Sequence, residues 1–244
     1  MSYSKKVPEK RCLSVLSSLY LITMFVSQIL SYRFVNIGNI LTVASVFIIP
    51  ITYSISDLIA EQYGYDTIKN TIWKTLPILF FACFLLFLAQ ELPVVEKYKK
   101  YTDAYYIVFH PTLWIYFSNL VAIILGMFLN SYIIVKLKLL VKGKIFFIRS
   151  LFSSAIGELI FTAVVVTLVQ FHISNWSDIG EMILVSFTIK VAFTFISAII
   201  AAFAKPLLQH IDGYDAFEMT KDYNPFKFTD SGPELTTQAN QPEN

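Results

Sequence analysis

Two cysteines in 244 residues are too few for a disulfide framework. Cys12 precedes the first long apolar run and Cys83 lies inside the third, so both read as free thiols in a membrane-compatible setting. Charge is also scarce. Asp, Glu, Lys and Arg make up 15% of the chain, against about 25% in a typical soluble domain. Histidine is nearly absent: His110, His172 and His210 all stand at the ends of apolar runs and form no cluster with cysteine. With no HExxH pattern either, neither a metal nor another cofactor is expected. A P-loop is missing, which excludes ATP hydrolysis by that route. So is the Gly-x-Ser-x-Gly elbow of a serine hydrolase. An intramembrane aspartyl protease would want two aspartates on neighbouring spans, and only Asp57 qualifies. No repeated filter-like loop suggests a channel. The chain is therefore not expected to be an enzyme.

What is abundant is apolar residues, at 56%, with Phe alone at 22. The mean hydropathy of +0.61 excludes a disordered chain and argues against a soluble globule. A helix needs about 20 apolar residues to cross the bilayer core. Six runs qualify, near 13–31, 40–60, 72–92, 111–135, 150–171 and 182–204. The expected fold is all-α, a polytopic bundle of six transmembrane helices over 13–210. A short N-terminal tail (1–12) precedes it and a C-terminal tail (211–244) follows, its last 15–20 residues expected to be disordered. The basic start imitates a signal peptide, but the run is long and no small-residue cleavage site follows, so it reads as a retained span.

Orientation follows from Lys and Arg. With the N-terminus inside, the inner segments hold 14 basic residues and the outer ones four, Arg33, Lys97, Lys99 and Lys100. Both termini are expected in the cytoplasm. The basic loop 136–149 fits this rule better than nucleic-acid binding, which is not expected; contact with anionic membrane lipid is a secondary reading.

Apart from Lys74 and Glu91 at the two ends of the third run, three charges fall inside spans, where an ionisable group costs roughly 2.5–3.5 kcal/mol on insertion scales. Asp57 shares a helical face with Pro50, Tyr53 and Glu61. Pro50 either kinks the span or breaks it to open a polar pocket. Glu61 is either a solvated helix-end residue or part of that face. Glu158 lies near the midplane on a face with Ser150, Ser154 and Thr162, beside the small pair Ser153 and Gly157. Lys190 belongs to a stripe with Ser186, Thr194 and Ser197, and its charge suits neutralisation of Glu158 or Asp57. Span four carries Asn119, Ala122, Gly126 and Asn130, whose amides bridge helices or bind a ligand. All of these groups need a polar interior to face.

The run Phe47-Ile-Ile-Pro50-Ile-Thr-Tyr53-Ser-Ile-Ser-Asp57-Leu-Ile-Ala-Glu61-Gln-Tyr63-Gly64 resembles the signature of the queuosine precursor transporter family, also called vitamin-uptake-transporter-like. Arg149 followed by Ser153-Ser154-Ala-Ile-Gly157-Glu158 is similar to the start of that family's fifth span, and Lys190 with Pro206 to its last. The resemblance covers roughly residues 12–210. It departs at Phe161, where many members carry Asp, and near Ser27-Gln28, where many carry Asn. It implies import of 7-cyano-7-deazaguanine or 7-aminomethyl-7-deazaguanine across a bacterial plasma membrane. The bottom-up reading agrees: one carboxylate can accept both adjacent donors of a guanine-like base. Glu158 is the first candidate for that role and Asp57 the second, with Ser154 beside them. Asn119 or Lys190 would meet the carbonyl oxygen, and Tyr53 and Phe47 would stack on the ring. Pro50, Glu61, Gly64, Arg149 and Gly157 are structural or gating candidates. The alternative is a substrate-binding membrane subunit that borrows an energising module for a vitamin or nucleobase-like solute; a homodimer is the other partner considered. An intramembrane enzyme and a purely structural protein are the rival classes.

The charge split makes a direct prediction. Reporter fusions at either terminus will be active only when the reporter works in the cytoplasm; an active periplasmic reporter at the C-terminus would overturn the assigned topology.

Overall fold

The fold is described from a computed structural model, which covers residues 11–31, 33–37, 40–171, 174–213, 215–216 and 223–226. The expected disordered end, the residues before Arg11, and His172 lie outside the described residues. The elements are α1 (Arg11–Leu30), β1 (Phe34–Ile37), β2 (Ile40–Val43), a 3-10 turn (Ala44–Phe47), α2 (Ile49–Tyr63), α3 (Tyr65–Gln90), a second 3-10 turn (Glu96–Tyr98), α4 (Lys99–Phe109), α5 (Thr112–Leu140), α6 (Phe146–Gln170) and α7 (Trp176–Asp212). Six helical segments are long and apolar enough to cross a bilayer, so the chain is an all-α multi-pass membrane protein.

The second span does not begin as a helix at 40. Ile40–Val43 pairs antiparallel with Phe34–Ile37, Phe34 opposite Val43. The β-branched residues Ile40, Thr42 and Val43 suit this short hairpin, and the helix starts only after the 3-10 turn. Pro50 then sits in the first turn of α2, where its missing N–H costs no helical hydrogen bond. It starts a helix rather than kinking one. Gly64, at φ +86, reverses the chain directly after Tyr63, and α3 begins at Tyr65 instead of near 72. Lys69 and Lys74 are therefore helical, not loop residues. The last span extends well beyond 182–204 at both ends, and the short α4 was not foreseen in the sequence.

α2 is the axis of the bundle. Every residue from Ile49 to Tyr63 is buried except Ile51, including Thr52, Ser54, Ser56, Asp57, Glu61 and Gln62. At about 1.5 Å per residue it is shorter than the bilayer core, and α1, α3, α5, α6 and α7 all pack against it. The outer helices instead expose large apolar side chains, Phe80, Phe81, Phe84 and Leu88 on α3 and Phe195, Ile196, Ile200 and Phe203 on α7. Lipid solvates those, while the polar residues turn inward because only protein can satisfy them.

α5 and α6 cross where glycine meets glycine. A Cβ on Gly126 would stand 2.7 Å from the Gly157 carbonyl oxygen and 2.9 Å from the Tyr53 hydroxyl. A Cβ on Gly157 would stand 2.8 Å from Asn130 Cβ, the Gly126 carbonyl and the Tyr53 ring. Close small-residue contact of this kind is how membrane helices gain packing energy without a hydrophobic driving force.

The ends of α2 and α7 meet the start of α1. The Tyr63 hydroxyl donates to Asp212 Oδ2 at 2.5 Å, and the Cys12 amide donates to Asp212 Oδ1 at 3.3 Å. Beyond α7 the chain folds back over this end of the bundle. The Ala216 amide donates to the Gln62 carbonyl, the Tyr65 hydroxyl to the Tyr223 carbonyl, and Trp73 Nε1 to the Pro225 carbonyl. Of the C-terminal region expected only as a tail, the described residues 215–216 and 223–226 thus lie against the bundle.

Gly157→Ala will lower the melting temperature of the purified protein, by the about 1–3 kcal/mol typical of overpacking. Gly180→Ala, where a Cβ meets nothing within 4 Å, will leave it unchanged or raise it. Equal behaviour of the two variants would show that the crossing is not tight.

Candidate functional site

Three polar layers stack along the bundle interior, each about one helical turn from the next. The first is centred on Glu61, which is 1% exposed. Arg149 donates to it bidentately, Nη1 to Oε2 and Nη2 to Oε1, both at 2.8 Å. Lys205 Nζ donates to Oε1 at 2.6 Å. Lys138 Nζ stands 3.8 Å from Oε1 and donates to the Glu61 carbonyl, the Ala216 carbonyl and Asp215 Oδ1 at 2.6–2.7 Å. One carboxylate thereby joins α2, α5, α6 and α7. Its helix-end position suggested a solvated residue as one reading; the structure buries it.

The second layer is centred on Asp57. Asn130 Nδ2 donates to Oδ1 at 2.7 Å; Ser150 and Ser154 donate to Oδ2 at 2.5 and 2.9 Å. The donors come from α5 and α6, so this layer ties those helices to α2. Among the described residues no basic group lies within 4 Å of Asp57.

The third layer lies between α6 and α7. Glu158 is fully buried, and the Thr194 hydroxyl sits 2.8 and 2.9 Å from its two oxygens. Lys190 Nζ donates to Thr162 Oγ1 at 2.8 Å and lies over the Phe161 ring, 5.1 Å from its centroid. Glu158 to Thr162 is one turn of α6, and Lys190 to Thr194 one turn of α7. The two helices run antiparallel, so each charge faces a threonine of the other helix. Among the described residues Lys190 makes no ion pair within 4 Å with Glu158 or Asp57, the partners expected for it. The carboxylate has one hydroxyl for two oxygens, and the ammonium has one acceptor for three N–H groups. In this layer both charged groups themselves keep hydrogen-bonding capacity left over.

Tyr53 closes one side. It is fully buried, its ring is edge-on to Phe161 with centroids 6.4 Å apart, and its hydroxyl has no hydrogen-bond partner among the described residues. The remaining candidates lie apart from this layer. Asn119 Nδ2 donates to Gln28 Oε1 at 2.7 Å. Phe47 packs edge-on against Phe193, centroids 4.8 Å apart. Sequence reasoning counted Lys138 and Lys205 only toward orientation. Lys138 continues the four-residue ridge of Asn130 and Ile134, a spacing that could have placed it on the inner face. No sequence signal reveals that Lys205 reaches Glu61. Among the described residues no three His, Cys, Asp or Glu side chains gather as metal ligands.

A family model with the description "Putative vitamin uptake transporter" matches residues 43–204, more than half of the chain. No curated protein and no solved structure matches. The matched stretch contains all three layers except Lys205, one residue beyond it, and the Lys138 partners Asp215 and Ala216.

Removing one partner of a buried ion pair typically costs about 3–5 kcal/mol. Arg149→Ala will therefore melt far below the parent protein, and Arg149→Lys will recover only part of the loss because the two-pronged contact is gone. A lysine variant as stable as the parent would show that charge alone, not the fork, holds this layer.

Proposed function

Because the chain belongs to the vitamin uptake transporter family, we propose that it imports the 7-deazaguanine precursors of queuosine into the bacterial cytoplasm. It does so from the plasma membrane, with both termini inside. The observation that carries this reading is the open charge pair of the third layer. A guanine-like edge presents two adjacent donors, the exocyclic amine and ring N–H, followed by a carbonyl oxygen. Glu158 accepts the two donors and Lys190 donates to the carbonyl. Each charge is held on a threonine of the other helix, with no ion pair between them among the described residues, which leaves both open to the edge of a planar heterocycle. Tyr53 and Phe161 supply the aromatic wall, and the free Tyr53 hydroxyl offers a further hydrogen bond.

Asn119 is spent on Gln28, which favours Lys190 as the partner of the carbonyl. Asp57 already has three donors, which favours Glu158 as the base-binding carboxylate. Phe47 lies against Phe193, apart from this layer, which leaves ring stacking to Tyr53 and Phe161, while Ser154 acts through Asp57. The buried, protein-enclosed setting strengthens each polar contact relative to water. Threonine hydroxyls that hold the charges apart also prevent their collapse into a direct ion pair, which would remove the binding edge.

The test is queuosine in tRNA. A bacterium unable to make the precursors and lacking its own importer is given this chain and a low concentration of 7-cyano-7-deazaguanine. Queuosine is expected only with the chain present. Glu158→Gln should weaken uptake by about 10- to 100-fold, the equivalent of one lost charge-assisted hydrogen bond of roughly 1.5–3 kcal/mol. No queuosine, with the protein verified in the membrane, would overturn the substrate; unchanged uptake by Glu158→Gln would overturn the residue.

A further inference from the structure

We propose that Asp57 carries the proton that drives transport, held by Asn130, Ser150 and Ser154 in both its charged and its neutral form. This rests on the chain being a transporter, as argued above, and adds the energy source. The first observation is an imbalance of neutralisation. Glu61 and Asp57 lie one turn apart on α2, and both are buried. Glu61 has Arg149, Lys205 and Lys138 around it. Asp57 has hydrogen bonds but no ion-pair partner among the described residues. A carboxylate taken out of water without a cation is unfavourable unless it gains a proton or an ion.

The charged and titratable groups around Asp57 do not supply that cation. On α2 the neighbours are Tyr53 and Glu61. α6 contributes Arg149, bonded to Glu61, and Glu158. α5 contributes Lys138, bonded to Asp215 and two carbonyls. α7 contributes Lys205, bonded to Glu61, and Lys190, bonded to Thr162. α1 contributes Tyr20, whose hydroxyl is bonded to Met127 Sδ. Ser150 and Ser154 donate to Asp57 Oδ2 at 2.5 and 2.9 Å and Asn130 Nδ2 donates to Oδ1, so both carboxylate oxygens are turned to hydrogen-bond donors rather than to a cation.

The second observation is independent. Asn130 is fully buried, and its Oδ1 has no partner among the described residues although its Nδ2 is bonded to Asp57. Rotating the amide exchanges donor for acceptor at one site. With Asp57 ionised, Nδ2 and two serine hydroxyls donate to it. With Asp57 protonated on Oδ1, Oδ1 of the turned amide accepts the carboxyl O–H, while Oδ2, now a carbonyl oxygen, still accepts from the serine hydroxyls through weaker, uncharged hydrogen bonds. The same residues thus hold both states, and the idle oxygen has a use. The proton enters from outside water and leaves to the cytoplasm, so none is consumed and no bond other than O–H is made or broken. Because the donors sit on α5 and α6, the change of state loosens the tie between α2 and those helices, next to the Glu158 layer.

Two measurements decide this. In lipid, infrared difference spectra between acid and alkaline pH should show a protonated-carboxyl band that is lost in Asp57→Asn, a reading that needs no substrate. In proteoliposomes, an inward proton gradient should drive accumulation of 7-cyano-7-deazaguanine by the parent chain, and Asp57→Asn, confirmed folded by its melting temperature, should lose that accumulation. If Asp57→Asn does not fold, Ser150→Ala, which removes one hydroxyl, should shift the band. Absence of any band assignable to Asp57, or accumulation that follows a sodium gradient and ignores pH, would overturn the proposal. If no 7-cyano-7-deazaguanine enters, the substrate reading fails while the infrared band still decides Asp57.

Discussion

A charge inside a bilayer must be neutralised by the protein itself, and the Glu61 cluster shows how much structure that constraint organises. Arg149 and Lys205 bind the carboxylate directly, and Lys138 bonds its backbone carbonyl. Through one side chain α2 is fixed to α5, α6 and α7 at a single depth. Lys138 then extends the cluster to Asp215 and Ala216, which brings the segment after α7 over the same end of the bundle. Desolvation makes such a cluster a doubtful source of net stability against an apolar alternative. What it supplies is register: the carboxylate and the three cations, drawn from four helices, are partnered together at this one depth.

The rest of the interior follows from that register. α2 is polar on most sides, so it can be stable only when surrounded, and the apolar outer faces of α3 and α7 are left for lipid. With α2 and α6 aligned at Glu61 and Arg149, Asp57 falls opposite Ser150 and Ser154, and Tyr53 falls against Gly157 and Phe161. The glycine crossing allows this approach; a methyl group on either glycine would push the helices apart. Packing and polar pairing therefore depend on the same few residues.

The three layers differ in what they leave unfinished, and that difference carries the functional reading. The Glu61 layer has several cations for its anion. The Asp57 layer has three donors and one idle amide oxygen. The Glu158 layer keeps opposite charges apart on threonine hydroxyls, beside a tyrosine hydroxyl without a partner among the described residues. Unused hydrogen-bonding capacity in a buried site is costly, and its concentration between α2, α6 and α7 is what supports the proposed ligand site over a merely structural network.

The sequence by itself determined the six spans and the three charges within them, because apolar run length and the expense of intramembrane charge are one-dimensional properties. It also carried the motif residues from Phe47 to Gly64, and the family match overlaps them. It misplaced where the second and third spans begin. Hydropathy does not register that Gly64 reverses the chain, or that Ile40–Val43 finds a strand partner. Pairing of the charges was decided only by the tertiary structure. Composition suggests that Lys190 meets a carboxylate, yet helix register sets each charge opposite a threonine, while Arg149 and Lys205, counted as loop and tail cations, enter the interior to meet Glu61. Spacing along one helix fixes which residues share a face; which face meets which depends on the crossing of separate helices, and that is set where Gly126 and Gly157 touch.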